Sequence, residues 1–472
     1  MENEKQESNE EEKKGSLNLS RRDIVQGLAT VPFLGMFGWS WSKKDGPDTA
    51  SDGPVIETPK EFTGKELNVA MLGMGAQGQV LLNSCLRIPG LKFKAVCDIW
   101  TDLNLKRAVN LLTKYGHEVT GYEDYREMLE KEKDLDAVII ATPDFWHAEH
   151  TIAFLEAGVH VYCEKEMSNT IEGARSMVEA QKRTGKLLQI GHQRRSNPRY
   201  IHCKKKLLEE ADLLGRITTI NGQWNRGVQP DLGWPKRYEL SQEKLEKYGF
   251  ETMHEFRNWR WYKGLGGGPI VDLGSHQIDI YNWFLESKPV SVMASGGVDY
   301  YEKDTHEWYD NIIALFEYQT EKGTVRASYQ TITTNSSQGY FEKFMGDQGT
   351  LSISESANKS GVYREVSAPP WDEWVNKGYL SKPEKKETPA AGEGAVVDVR
   401  ETASPESHTI PVELNDPYHQ PHLQNFFDAI RGEAELNCPA EDGYETAVTV
   451  LKVNEAVEKG ITVKFNPEEY VI

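Results

Sequence analysis

The stretch "NVAMLGMGAQGQV", residues 68–80, decides the fold. An apolar run typical of a buried strand leads into three glycines, Gly73, Gly75 and Gly78. The G-x-G-x-x-G spacing alone is a weak signal, but between a strand and a helix it indicates a dinucleotide-binding turn. The first glycine permits the tight turn, the second lets a pyrophosphate approach the backbone, and the third lets helix and strand pack closely.

The helix after this turn would begin at Ala76 and Gln77 and direct unpaired N–H groups toward the phosphates. Asp98 ends the next strand about 20 residues further on, where an acidic residue accepts hydrogen bonds from the adenosine ribose. A carboxylate there repels a 2′-phosphate, and no arginine follows it directly. The cofactor predicted is therefore NAD, in preference to NADP.

Short apolar runs and amphipathic segments alternate from the glycines to "KLLQIGH", residues 186–192. This alternation predicts a parallel sheet covered by helices on both faces. We expect a Rossmann dinucleotide-binding domain over residues 64–191.

The rest of the chain, residues 192–472, follows another pattern. Strands of alternating polarity are joined by short turns such as "YQTEKG" and "GDQG". They predict an α+β domain with a large, mostly antiparallel open sheet and helices on one face. A segment rich in Pro, Glu, Lys and Ala, residues 368–411, is predicted to be a mobile surface loop.

Composition restricts the kind of partner. The formal net charge of −19 argues against a nucleic-acid or anionic-membrane partner, because both require basic patches. The five cysteines are scattered, with no C-x-x-C pair, so neither a disulfide framework nor a zinc site is expected.

The N-terminal 42 residues resemble an export segment. Arg21 and Arg22 directly precede an uncharged run, Ile24–Trp41, which is the pattern of a twin-arginine signal. Two outcomes are open for this segment: it is a signal that is removed after export, or it stays as an N-terminal membrane anchor facing the periplasm. No small-x-small cleavage site follows it, which agrees with an anchor. Residues 43–63 are rich in Gly, Pro, Ser and charged side chains and are predicted to be a linker.

A second stretch carries chemistry. In "GGGPIVDLGSHQIDIYNWF", residues 266–284, Asp272, His276 and Asp279 are four and then three residues apart. On a regular helix they would share one face. Three interpretations are open for this stripe: a satisfied buried histidine–carboxylate pair, a metal site, or an acid/base site. No further metal ligands at suitable spacing accompany it, so no metal is predicted.

Polar side chains also follow three strands of the predicted parallel sheet, where ligands bind in open α/β sheets. The candidates for the nicotinamide pocket are Thr142, Pro143, His147, Glu164 and Lys165. The candidates for the substrate, at the end of the next strand, are His192 and Arg194.

The long segment Trp224–Tyr262, which we name the aromatic insertion, contains seven Trp and Tyr residues together with Arg226, Arg237, Arg257 and Arg260. Aromatic faces pack against the C–H faces of sugars, and arginines bind hydroxyls or carboxylates. An ordinary aromatic core under a long loop is the alternative. On the first interpretation, Trp259, Trp261, Tyr262 and Asp279 are candidate substrate contacts.

Taken together, "GMGAQG" with Asp98, "TPDFWHAEHTIAFLEAGVHVYCEKE" and "GGGPIVDLGSHQID" resemble the Gfo/Idh/MocA family of glucose–fructose oxidoreductase, inositol dehydrogenase and rhizopine-catabolism oxidoreductases. The resemblance covers residues 66 to about 460. The family's E-K-P motif stands here as Glu164-Lys165-Glu166, with glutamate in place of proline.

The resemblance implies that Lys165, Asp272 and His276 form the catalytic set of an NAD-dependent oxidoreductase acting on a sugar, glycoside or cyclitol hydroxyl. It also implies a homodimer or homotetramer. If the protein is exported, tightly held NAD recycled between two sugars is expected. Because some relatives are NAD-dependent glycosidases that oxidise transiently and eliminate the aglycone, a glycoside hydrolase is the alternative. Those relatives lack the lysine, so Lys165 favours net redox chemistry.

Overall fold

The structure, a computed structural model, describes residues 62–383 and 406–472, which belong to one compact unit. The predicted export segment (residues 1–42) and all but the end of the predicted linker (residues 43–63) lie outside the described residues. No helix within the described ranges has the length and apolar character needed to cross a membrane.

The first sheet has six parallel strands in the order β3-β2-β1-β4-β5-β6. The strands are β1 (Leu67–Leu72), β2 (Leu91–Cys97), β3 (Thr120–Tyr122), β4 (Ala137–Ile140), β5 (His160–Cys163) and β6 (Leu188–Ile190). The helices are α1 (Ala76–Cys85), α2 (Lys106–Lys114), α3 (Tyr125–Lys131), α4 (Asp144–Glu156) and α5 (Ile171–Thr184).

Burial explains why this sheet reads as short apolar runs. Every residue of β4 is buried, because helices cover both faces of the sheet. Strands β2 and β3 lie on one side of β1, and strands β4 to β6 lie on the other, so the order of strand addition reverses between β1 and β4. The glycine turn follows β1. This is the switch point at which open α/β sheets bind ligands.

The second sheet has nine strands in the order β14-β13-β12-β11-β7-β10-β9-β8-β15, and only β7 and β10 pair in parallel. The strands are β7 (Ile217–Asn225), β8 (Pro289–Gly297), β9 (Asn311–Thr320), β10 (Gly323–Ile332), β11 (Tyr340–Gly346), β12 (Gly349–Ile353), β13 (Gly361–Arg364), β14 (Glu406–His408) and β15 (Val463–Lys464).

The helices of this domain are α6 (Pro198–His202), α7 (Gln242–Lys247), α8 (Met253–Asn258), α9 (Ser275–Leu285), α10 (Asp372–Asn376), α11 (Gln420–Arg431) and α12 (Ala440–Lys459). Helices α9 and α12 pack against each other and cover one face of the sheet. On β9, Phe316 and Tyr318 point into this core whereas Ile313 and Leu315 are about half exposed. The predicted fold class is confirmed.

The predicted loop at residues 368–411 is too long at both ends. Trp371 is buried just before α10, and His408 pairs with Val362 through strand β14. Its middle, residues 384–405, lies outside the described residues. The loop was predicted from its high Pro, Glu and Lys content, and this composition gave no weight to the few buried residues that anchor the two ends of the segment.

The stretch predicted as one regular helix begins with a π-helical turn, Ile270–Gly274, and continues as α9. A π turn widens the helix, so spacing worked out at 3.6 residues per turn does not hold across it. Asp272 lies in the wide turn, whereas His276 and Asp279 lie in the regular part.

Candidate active site

The glycine turn has room for a ligand at one of its three glycines. Gly73 has φ +87°, and a Cβ atom there would lie 2.6 Å from the carbonyl oxygen of Ala141. At Gly78 a Cβ atom would lie 2.0 Å from the carbonyl oxygen of Gly73. At Gly75 no atom of the described residues lies within 4 Å of that position. The first and third glycines thus serve the turn and its packing, and the second leaves the backbone open to a pyrophosphate.

Asp98 directly follows β2 and is buried. Its two carboxylate oxygens accept hydrogen bonds from the backbone N–H groups of Met74 and Trp100, both at 2.7 Å. Burial raises the pKa of this carboxyl, and the two hydrogen bonds oppose that rise. Asp98 therefore ties the glycine turn to the end of β2, and a carboxylate keeps further lone pairs for a ribose hydroxyl.

His147 lies against the backbone on the cofactor side of the sheet. Its Nε2 lies 2.8 Å from the carbonyl oxygen of Thr142, and its Nδ1 lies 2.7 Å from that of Glu166. Burial lowers the pKa of His147 to about 4, so the neutral ring donates its one N–H to one of these two carbonyl oxygens. It thus contacts the loops after β4 and β5, and its contact with the cofactor stays a prediction. Pro143 caps the start of α4 between them.

Glu164 and Gln77 lie together beside the glycine turn. Gln77 Nε2 donates to Glu164 Oε1 at 3.2 Å and lies 3.0 Å from His419 Nε2, which comes from the start of α11. Burial raises the pKa of Glu164 to about 7, although the charge of Lys165 opposes the rise. His419 was not predicted, because 342 residues separate it from Gln77 and no motif marks it.

The loop after β5 meets the π-helical turn at the side chain of Lys165. Its Nζ donates to the backbone carbonyl of Asp272 and lies 3.5 Å from the carboxylate of the same residue. The peptide bond between Lys165 and Glu166 is cis. The structure thus joins two of the three predicted catalytic residues directly.

Asp272 is surrounded by cationic side chains. Arg260 Nε donates to its carboxylate at 3.0 Å. Burial alone raises the pKa of Asp272, but the charges of Arg260, Lys165 and Arg226 outweigh burial and hold the pKa well below its usual range. Asp272 is therefore a permanent anion that orders the cations around it.

His276 lies near this cluster but forms no hydrogen bond within the described residues. Its side chain is 8% exposed, and its Nδ1 is buried without a partner. Burial, followed by the charges of Lys165 and Arg194, lowers the pKa of His276 well below its usual value. Of the three interpretations, the satisfied histidine–carboxylate pair is thus absent among the described residues, and a pKa well below the usual value leaves the imidazole uncharged at neutral pH.

Two further rings border His276. The Trp224 ring centroid lies 5.4 Å from that of His276, and His192 lies 6.5 Å away, edge to face. Neither ring nitrogen of His192 has a hydrogen-bond partner in the described part of the chain, although both are buried. Buried polar atoms are normally satisfied, so this group of unpaired nitrogens indicates a space that takes a polar ligand or water. No cluster suited to a metal ion occurs among the described residues.

Two predicted substrate contacts are structural ion pairs. Arg194 is 1% exposed; one end of its guanidinium contacts Glu342, and the other lies 3.2 Å from Glu355. Asp279 is also 1% exposed and receives Arg195 at 2.8 Å. Both charges already have partners within the fold, and contact of these two residues with substrate stays a prediction. Sequence spacing could not reveal this, since Glu342 and Glu355 lie on the distant strand β11 and after β12.

The three aromatic residues predicted to contact substrate all contact other side chains of the protein. Trp261 packs on the ring of His306 with centroids 4.5 Å apart. The hydroxyl of Tyr262 lies 2.6 Å from His254 Nδ1. Trp259 packs against an apolar cluster described below. For these residues the alternative interpretation, an aromatic core under a long loop, is the better one.

The apolar cluster joins the aromatic insertion to the nucleotide-binding domain. Its buried members are Trp100, Leu245, Tyr248, Phe250 and Met253. Trp100 Nε1 donates to the carbonyl oxygen of Tyr238 at 2.5 Å, and the guanidinium of Arg257 lies 5.1 Å from the Trp100 ring centroid. The aromatic insertion therefore covers the sheet edge that follows Asp98, where the adenosine ribose was predicted.

Comparison with known proteins agrees with this architecture. Residues 67–192 match a family described as "Oxidoreductase family, NAD-binding Rossmann fold", and residues 205–465 match its "C-terminal alpha/beta domain". The chain is 28% identical over 294 residues to an inositol 2-dehydrogenase/D-chiro-inositol 3-dehydrogenase of Shouchella clausii, covering 61% of this chain and 72% of that protein. It is 31% identical over 226 residues to a D-glucoside 3-dehydrogenase of Escherichia coli, covering 48% of this chain and 55% of that protein.

Among solved structures, an aldose-aldose oxidoreductase from Caulobacter crescentus superposes with a TM-score of 0.61 at 20% identity, over 85% of this chain and all of that chain. This likeness concerns the fold. The two family matches together span both sheets and every predicted catalytic residue, and they confirm the expected family and its oxidoreductase class. The chain belongs to the Gfo/Idh/MocA oxidoreductase family.

Proposed function

We propose that the protein transfers a hydride between a CH–OH carbon of a sugar, glycoside or cyclitol and the nicotinamide of bound NAD. The observation that carries this proposal is the unpaired, neutral imidazole of His276 beside a Lys165 that is held in place by Asp272. The names of the two sequence relatives, an inositol dehydrogenase and a glucoside dehydrogenase, support a hydroxyl of this kind.

His276, Lys165 and Asp272 have separate roles in the proposed alcohol oxidation. His276 accepts the hydroxyl proton, for which a neutral imidazole is required. The Lys165 ammonium donates a hydrogen bond to the oxygen as negative charge develops on it. Asp272 and its backbone carbonyl position that ammonium. When bound, NAD supplies the hydride acceptor.

The residues fit NAD at the glycine turn. The open position at Gly75 admits the pyrophosphate, and Asp98 offers a carboxylate to the ribose. Arg257 approaches the same edge from the aromatic insertion, an arginine that the sequence order alone does not place there. The preference for NAD over NADP is therefore best tested by titrating both cofactors into cofactor-free protein; tighter binding of NADP would contradict it.

The central test is His276→Ala. We expect kcat to fall by about 10²–10⁴-fold while NAD stays bound, because the imidazole transfers a proton and does not hold the cofactor. NADH absorbance would be followed with methyl glycosides and inositols as substrates. His117→Ala, which removes a half-buried imidazole outside the site, serves as the control. Full turnover by His276→Ala would show that the histidine is only a buried core residue.

We also propose that the cofactor is retained between turnovers. The support is the apolar cluster around Trp100, which lies over the sheet edge after Asp98 where NAD is predicted to bind. Mass spectrometry of small molecules released on denaturation should find NAD at about one per chain. Protein that is purified without NAD, and that needs added NAD for every turnover, would contradict retention. Release of aryl aglycones without net NADH formation would instead favour the glycosidase alternative.

We propose export by the twin-arginine route for residues 1–42, which lie outside the described residues. The support is the Arg21-Arg22 pair before an uncharged run. Cell fractionation of the full chain and of an Arg21→Lys/Arg22→Lys variant tests this. Equal amounts of both proteins in the periplasmic fraction would contradict it.

A further inference from the structure

One arginine in the site has no counter-charge of its own. Arg226 directly follows β7, and its backbone N–H donates to the carbonyl oxygen of Ile332 at 2.7 Å, at the end of the parallel neighbour β10. Both strands therefore end at the same sheet edge, and Arg226 is fixed there. The π-helical turn that carries Asp272 packs on these two strands.

The guanidinium of Arg226 forms no hydrogen bond or ion pair with the described residues, and its Nε is fully buried. It does lie over the Trp224 ring, 5.1 Å from the centroid. A cation–π contact stabilises a cation but leaves its N–H donors unsatisfied. Burial lowers the pKa of Arg226 to about 10, and the charge of Asp272 opposes that fall.

The nearby carboxylate makes no direct contact with Arg226. Asp272 is the carboxylate whose charge acts on Arg226, but no hydrogen bond or ion pair joins the two side chains among the described residues; Asp272 Oδ1 accepts Arg260 Nε at 3.0 Å and lies 3.5 Å from Lys165 Nζ. Arg226 is half-buried, and the unpaired N–H donors of its guanidinium are available to an anionic ligand. Planar guanidinium groups bind carboxylates and phosphates through two parallel hydrogen bonds.

Trp224 places this cation next to the reacting group. Its ring contacts the guanidinium of Arg226 at 5.1 Å and the imidazole of His276 at 5.4 Å. One ligand lying along this ring would reach both groups.

We propose that the substrate is an acidic sugar, whose carboxylate pairs with Arg226 while one of its ring hydroxyls lies at His276. This inference rests on the proposed function and adds the substrate class to it. A sugar phosphate offers the same oxyanion chemistry, and the experiment below separates the two sources.

The experiment compares methyl β-D-glucuronide with methyl β-D-glucoside, which differ only in a carboxylate against a CH₂OH group, and adds glucose 6-phosphate. We expect kcat/KM of the NAD-loaded protein to be at least about tenfold higher for the glucuronide than for the glucoside. Arg226→Gln should reduce that ratio to about one, mainly through KM. Arg237→Gln, which alters an exposed arginine of the same insertion, should preserve the ratio.

Binding provides the readout that does not depend on turnover. Calorimetric titration of the NADH-loaded protein should show a glucuronide affinity that exceeds the glucoside affinity and that is lost in Arg226→Gln. Oxidation of neutral sugars without this preference overturns the acidic-sugar proposal and leaves the proposed function intact. Selective glucuronide binding without NADH formation from any sugar supports recognition of the carboxylate and overturns the proposed function. A preference for glucose 6-phosphate overturns the carboxylate, and binding of neither glycoside overturns the whole proposal.

Discussion

Two arginines approach the same tryptophan, and their surroundings differ. The guanidinium of Arg194 lies 5.5 Å from the Trp224 ring centroid, and that of Arg226 lies 5.1 Å from it. Arg194 is matched by Glu342 and Glu355, whereas Arg226 has no ion pair within the described residues. Arg194 is fully buried, and its loss would leave two buried carboxylates without their cation, whereas Arg226 is half-buried and its guanidinium is available to a ligand.

The largest effect on stability is expected when Arg194, the arginine with ion-pair partners, is replaced. Arg194→Met leaves Glu342 and Glu355 buried without their cation and should lower the free energy of unfolding by about 3–5 kcal/mol. Denaturant unfolding measures this change. The control is Arg326→Met, which removes an exposed arginine paired with Glu317 at 3.0 Å and should cost less than about 1 kcal/mol. Equal losses in the two variants would remove the distinction between buried and exposed pairs.

A smaller effect, dependent on pH, is expected at Glu166. This carboxyl is fully buried, and one of its oxygens has no partner. Burial raises its pKa from 4.5 to about 8. The folded state therefore binds the proton more tightly than the unfolded chain, and the associated stability is lost as the pH rises through 8.

Glu166→Gln keeps the shape and cannot ionise, so its melting temperature should exceed that of the wild type by a few degrees at pH 9 and by little at pH 5. Thermal unfolding at both pH values measures the difference. Glu433→Gln, an exposed glutamate, controls for the change in net charge. A difference that shrinks as the pH rises would contradict the raised pKa.

The smallest effect is expected on the unmatched side, and it should have the opposite sign to the first. Arg226→Met removes a half-buried cation that has no hydrogen bond or ion pair among the described residues, so the ligand-free protein should be unchanged or more stable by up to about 1 kcal/mol. The same denaturant experiment applies. A loss as large as that of Arg194→Met would mean that Arg226 is structural, like its neighbour.

Sequence patterns were sufficient to predict the two-domain fold and the glycine turn of the candidate site. The glycine spacing at residues 73–78 predicted a turn whose geometry the structure shows, because each glycine is required locally. The contact between Lys165 and Asp272 was reached only through resemblance to a family, since 107 residues separate them. The π-helical turn was missed because a wider turn leaves no mark in the spacing of apolar residues.

The roles of the arginines could not be predicted from local sequence. Arg194 and Arg195 follow a strand on the cofactor side, as a ligand-binding arginine would, yet their carboxylate partners come from β11, α9 and α12. Arg226 lies at the start of an insertion that reads equally well as an aromatic core. Only the partners seen in the three-dimensional structure distinguish an arginine that is ion-paired within the fold from one that is available to a ligand.

The aromatic insertion has a consequence for protein engineering. One continuous segment contains Arg226, at the proposed substrate site, and continues into the apolar cluster that includes Trp100 at the predicted cofactor edge. If the two proposals hold, we expect substitutions selected there for a new substrate also to change how long the cofactor stays bound. A library that varies the insertion should therefore be screened for both substrate specificity and cofactor exchange.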